Sequence, residues 1–144
     1  MAELAGSLVL LAGLEVAQQL DVGVAETHAR RGVVGRDGDG ALWLASPDDR
    51  VVVQVDADTL SEQRRVALAT TPHHVLATDD GRVVVSGEGS DLWVLGSVGD
   101  PTALGVECAA TAGMAELPGG SVVAVTCPID DQVVLVDVAD GTTR

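Results

Sequence analysis

The chain has 144 residues, enough for one domain with a sizeable core, and 47% of them are hydrophobic, but it has no Phe or Tyr and only Trp43 and Trp93. The core must therefore be built from Val, Leu and Ala, a composition that favours sheets. The formal charge of −14 comes from 22 acids against eight basic residues, all of them Arg; so acidic a surface repels phosphate backbones and anionic bilayers, and the expectation is no nucleic-acid partner and no membrane insertion.

Near the N-terminus the apolar run Ser7 to Leu14 is too short to span a bilayer. Glu3 stands where an export signal carries basic residues, and no small-x-small cleavage pattern follows. The run reads as a buried strand. A first unit, residues 1–29, has predicted strands at 2–4, 8–11, 16–20 and 22–26, although the segment 14–20, LEVAQQL, is equally compatible with a short helix. A second unit, 30–70, has strands at 32–36, 41–45, 51–56 and 63–68. The third, 71–111, has 74–78, 82–86, 91–95 and 104–108. The fourth, 112–144, has 113–117, 122–126 and 132–138.

Each unit is a meander of short strands joined by Asp-Gly or Gly-rich turns, and two markers keep its period. Gly40, Gly81 and Gly120 follow the first turn at steps of 41 and 39 residues, and Asp49, Asp91 and Asp131 open the third strand at steps of 42 and 40. Four short strands repeating near 40 residues predict an all-β fold, a β-propeller of four-stranded meander blades with three to four blades visible. In the last blade the outer strand is missing, residues 140–144 forming only the turn toward it, so an edge is left open.

Pro72, Asp80-Gly81, the strand 82–86, Asp131, the strand 134–137 and Asp140-Gly141 together resemble the YVTN-type β-propeller repeat. Asp39-Gly40, Asp49, residues 53–56 and Asp58-Thr59-Leu60 repeat the pattern in the second unit. The resemblance covers about residues 31–144. It implies a ring of six to eight blades, of which at most four are visible, and it leaves function open because such propellers host many tasks.

Propeller topology gathers the turns entering each inner strand and the turns between second and third strands on one face of the disc. That face is predicted to collect His28, His73 and His74 with Asp49, Arg50, Glu88, Asp91 and Asp131. Neutral imidazoles beside carboxylates suit a divalent transition metal, with His28, His73 and His74 as ligands. Against this, and favoured over it, Pro72-His73-His74 reads as the plain start of an inner strand, with no HxH, HExxH or CxxC spacing. Acidic turns could take Ca²⁺, but Asp and Gly also dominate turns for conformational reasons. Cys108 and Cys127 end strands of neighbouring blades at the same face. They are either a disulfide, which would fit a periplasmic or extracellular setting, or two buried thiols.

No nucleophile elbow, phosphate loop or paired catalytic constellation is present in the sequence. The reading is a non-enzymatic propeller scaffold that requires no cofactor and presents an acidic loop face to a protein or small-molecule ligand. It is completed either by a homodimer that closes the ring or by the remainder of a longer propeller. The rival readings are a metal-binding or redox-accessory propeller using the entry-turn histidines, and part of a lactonase-type or quinone-dependent propeller enzyme.

Overall fold

The computed structural model describes residues 7–12, 15–21 and 34–144, with side chains from residue 37 onward. All regular structure among the described residues is β. β1 (Ser7–Ala12) and β2 (Glu15–Asp21) form an antiparallel hairpin, so the segment that was compatible with a helix is a strand paired to the apolar run. The strands expected at 2–4 and 22–26, and His28, lie outside the described residues.

The second sheet is β3 (Val34–Arg36), β4 (Leu42–Ser46), β5 (Val51–Val55) and β6 (Glu62–Ala67). The third is β7 (Pro72–Ala77), β8 (Val83–Gly87), β9 (Asp91–Leu95) and β10 (Thr102–Gly105). The fourth is β11 (Met114–Glu116), β12 (Val122–Cys127) and β13 (Gln132–Asp137). In each, consecutive strands pair antiparallel in chain order, as short turns require. The first turn of the third sheet shows why: Thr78 and Arg82 close it, and Gly81 holds a left-handed φ of 84° that a Cβ would strain.

The last sheet extends one step beyond the sequence reading. Gly141 turns the chain with φ 79°, and Asp140 accepts from the amide and hydroxyl of Thr142 at 2.8 and 2.7 Å. Residues 142–144 thereby fold back on β13. Leu135 and Arg144 exchange amide-to-carbonyl bonds at 2.9 and 2.8 Å, and Thr143 bridges Val136. The outer strand is thus begun but covers only the later part of β13.

The sheets pack face to face, and strand alternation decides which neighbour each side chain meets. On β8, Val83 and Val85 join Trp43, Ala45, Val52 and Val66 of the second sheet. Val84 between them joins Val123, Val125, Val134 and Val136 of the fourth. A strand buried on both faces must be apolar throughout, which is why the central strands read Val-Val-Val. Each fully buried Val contributes about 1.5–3 kcal/mol from area removed from water. The other face of the second sheet buries Leu44, Val51, Val53, Val55 and Leu60.

Small side chains leave the widening outer part of the interface between the second and third sheets to be filled by larger groups. Arg64, on outer strand β6, lies 5.9 Å from the centre of the Trp43 ring and donates to the carbonyls of Gly96 and Gly99 at 2.6 and 2.7 Å. Between the third and fourth sheets Cys108 and Cys127 form a disulfide, with Cα atoms 5.6 Å apart. The pair that the sequence left open between disulfide and free thiols is bonded.

Candidate binding face at the inner-strand ends

In an antiparallel meander the first and third turns of a sheet lie at one end, and the second turn and the link to the next sheet lie at the other. Hydrogen bonds between sheets keep the two ends in register. The Asp79 amide in a first turn donates to Glu116 Oε1 of the next sheet at 2.8 Å. At the opposite end the Thr111 amide in a link donates to the Gly89 carbonyl of a second turn at 3.0 Å.

The entry end is built from the second turns, residues 47–50, 88–90 and 128–131. Two of them are Pro-led, Pro47-Asp48-Asp49-Arg50 and Pro128-Ile129-Asp130-Asp131, and both finish on a left-handed residue, Arg50 with φ 53° and Asp131 with φ 51°. Side chains other than Gly adopt this region at a cost of about 1–2 kcal/mol, least for Asp. The carbonyls of Arg50 and Ser90 each accept from the amide that ends the same sheet's outer strand, Leu68 at 2.8 Å and Val106 at 3.2 Å. Asp48, Asp49, Glu88, Asp130 and Asp131 are exposed, and Asp91 is half-buried where it opens β9.

Some of these carboxylates are tethered. Asp49 accepts from Ser46 Oγ at 3.0 Å, Glu88 from Thr71 Oγ1 at 3.1 Å, and Asp130 from the Ala109 amide at 2.6 Å. The last contact, the disulfide and a bond from Gln132 Nε2 to the Glu107 carbonyl all fix the link between the third and fourth sheets.

His73 and His74 lie within β7, which begins at Pro72, rather than in the turn before it. Pro72 pairs with Gly87 and His74 with Ser86, so His73 is the extra residue of a β-bulge. Gly87 is required here, because a Cβ on it would lie 2.4 Å from the Thr71 carbonyl oxygen. His74 shares a sheet face with Ser86, whose hydroxyl donates to the Ala112 carbonyl at 2.7 Å, so it points toward the fourth sheet. Both imidazoles are half-buried. Among the described residues, no group of three or more His, Cys, Asp or Glu converges as a cation site.

The opposite end is as acidic but differently used. Asp37 accepts from the amides of Asp39 and Ala41 and from Trp43 Nε1 at 2.9 Å. Asp56 accepts from the Asp58 and Thr59 amides and the Thr59 hydroxyl, and the Thr59 donors hold its carboxyl below the usual carboxylate range. Thr142 does the same to Asp140. Asp80 is caged by Thr78 and by its ion pair with Arg82. A polar hollow of about 380 Å³ lies beside this end between Asp39, Gln54, Asp58 and Gln63.

No protein-family model and no curated protein matches the chain. Solved structures do. Virginiamycin B lyase from Staphylococcus aureus aligns over 97% of this chain and 48% of its own, with a TM-score of 0.80 and 9% identity. The fold is a β-propeller. The dihydro-heme d1 dehydrogenase NirN matches 97% of this chain and 32% of its own (TM-score 0.78, 15% identity). Hydrazine synthase of Kuenenia stuttgartiensis matches 90% and 40% (0.75, 16%). The chain thus spans less than half the length of these structures, and at such identities the likeness is one of fold. Its sheets are blades, and the chain is a partial propeller.

Proposed function

We propose that this propeller segment is a binding module, built of YVTN-type repeats, whose entry end takes a cationic ligand such as a basic segment of a partner protein. The observation that carries this reading is the contrast between the two ends of the blades. At the far end Asp37, Asp56, Asp80 and Asp140 are enclosed by donors of their own turns, whereas Asp48, Asp49 and Asp131 are exposed on the Pro-led second turns of the second and fourth sheets. The YVTN assignment is supported by Pro72 at the head of the inner strand β7 and by Asp80-Gly81 and Asp140-Gly141 at turns. The Cys108–Cys127 bond supports an oxidising setting, periplasmic or extracellular.

An octalysine peptide tests the reading by isothermal titration calorimetry at low salt. The triple variant Asp48→Asn, Asp49→Asn, Asp131→Asn is expected to weaken binding about tenfold, and 0.5 M salt to abolish most of it. A matched far-end variant, Asp39→Asn, Asp58→Asn, Asp79→Asn, should change it by less than about twofold. Equal losses in the two variants would reduce the effect to net charge and overturn the proposal.

A further inference from the structure

The two Pro-led turns of the entry end have the same build and different tips. Ser46 pairs with Val51 across one turn and Cys127 with Gln132 across the other, so residues 47–50 match 128–131 one for one, down to the left-handed Arg50 and Asp131 that close them. Where the second blade carries Asp48, the fourth carries Ile129. Ile129 is 70% exposed. That exposure belongs to the position, because Asp48 is exposed as well although the third blade packs against its sheet.

A single exposed aliphatic side chain needs no explanation, but Ile129 has apolar company. The disulfide joins Cys108 to Cys127, and the next residue on each side, Ala109 and Pro128, is exposed. The Ala109 amide donates to Asp130 Oδ2 at 2.6 Å, which holds Ala109 against the turn that carries Pro128 and Ile129. The bond from Gln132 Nε2 to the Glu107 carbonyl ties the same link a second time. The patch is therefore fixed before any ligand arrives, so little ordering cost falls on binding. Its rim is anionic: Glu107, Asp130 and Asp131 are exposed, and residues 106–111 and 128–131 contain no basic side chain.

We infer that Ile129, Pro128 and Ala109 form an apolar seat within the acidic entry end, and that the partner segment it takes is basic and amphipathic. One aliphatic or aromatic side chain rests on the seat, and Lys or Arg residues on either side of it meet Glu107, Asp130 and Asp131. The inference rests on the cationic-ligand reading and deepens it. Charge complementarity selects the occupant: a flanking cation satisfies the rim while its apolar neighbour loses water, whereas an acidic segment of the same shape is repelled. The turn at Asp48 offers charge alone, so the two Pro-led turns read different features of one segment.

The test compares octalysine with a peptide of eight lysines and one central leucine, each titrated calorimetrically into the chain at low salt. The leucine peptide is expected to bind at least about fivefold more tightly. Ile129→Ser should bring it within about twofold of octalysine and leave octalysine itself unchanged, with an unaltered far-ultraviolet spectrum. Val98→Ser, at a position 84% exposed on a far-end turn, should preserve the fivefold difference. A leucine gain below about twofold, or one that survives Ile129→Ser, overturns the inference while octalysine binding leaves the charge reading standing. Absence of binding by either peptide overturns both. Self-association of the wild type that Ile129→Ser abolishes, read by light scattering on the same samples, would give the seat to a second copy and overturn the inference as well.

Discussion

The two ends of the blades carry comparable acidity and put it to opposite uses. At the far end Asp37, Asp56, Asp80 and Asp140 each accept several bonds from their own turn, so charge is converted into local rigidity. At the entry end rigidity comes from elsewhere: proline at the head of two turns, bonds between turns and links, and one covalent tie. The carboxylates there are exposed, with Asp49, Glu88 and Asp130 each accepting one bond rather than holding a whole turn. Counting acids does not locate a binding face; asking what each acid already holds does.

The largest expected effect tests the covalent tie. Cys108 and Cys127 are 19 residues apart, a closure that constrains the unfolded chain by about 3 kcal/mol. The double variant Cys108→Ala, Cys127→Ala should lower the unfolding free energy in urea by that order, and reductant should reproduce the loss in the wild type. Next is the cage at the far end. Asp37→Ala removes acceptors for two amides and for the indole of buried Trp43, and should cost about 2 kcal/mol. Asp48→Ala, at an exposed position of the entry end, should cost less than about 0.5 kcal/mol in the same melt. Equal costs for the two would erase the contrast.

The smallest effect is one of pH, and its sign is fixed. The folded-state carboxyls of Asp56 and Asp140 lie below their ordinary range because of Thr59 and Thr142, and that of Glu62 because of Arg65. The stability they add is fully present above the unfolded-state values and is lost as pH falls through the folded ones. Urea midpoints should therefore fall on the acid side of pH 4. Asp56→Asn should flatten that fall.

Much of the blade plan was legible in the sequence because turn chemistry is local. Asp80-Gly81 and Asp140-Gly141 announce their turns, and the Val-Val-Val strands between them announce two-sided burial. Contacts between distant segments were not legible. Arg64 clamps carbonyls more than 30 residues ahead, and nothing near it in the chain says so. The state of Cys108 and Cys127 depended on a Cα separation that only the packed blades supply. The site was legible in part: Asp49, Arg50, Glu88 and Asp131 lie in second turns, whereas the bulge at His73 depends on Gly87 approaching Thr71 across the sheet. The pairing of residues 142–144 was missed because the segment carries no apolar alternation, only the Asp140 cage that aims it.

The most direct test is a backbone amide NMR titration of the 144-residue chain with octalysine at low salt. The account predicts that shifts concentrate in residues 48–50, 88–91 and 130–131 while the turns around Asp39, Asp58 and Asp79 stay in place. Shifts spread evenly over both ends, or confined to the far end, would contradict it.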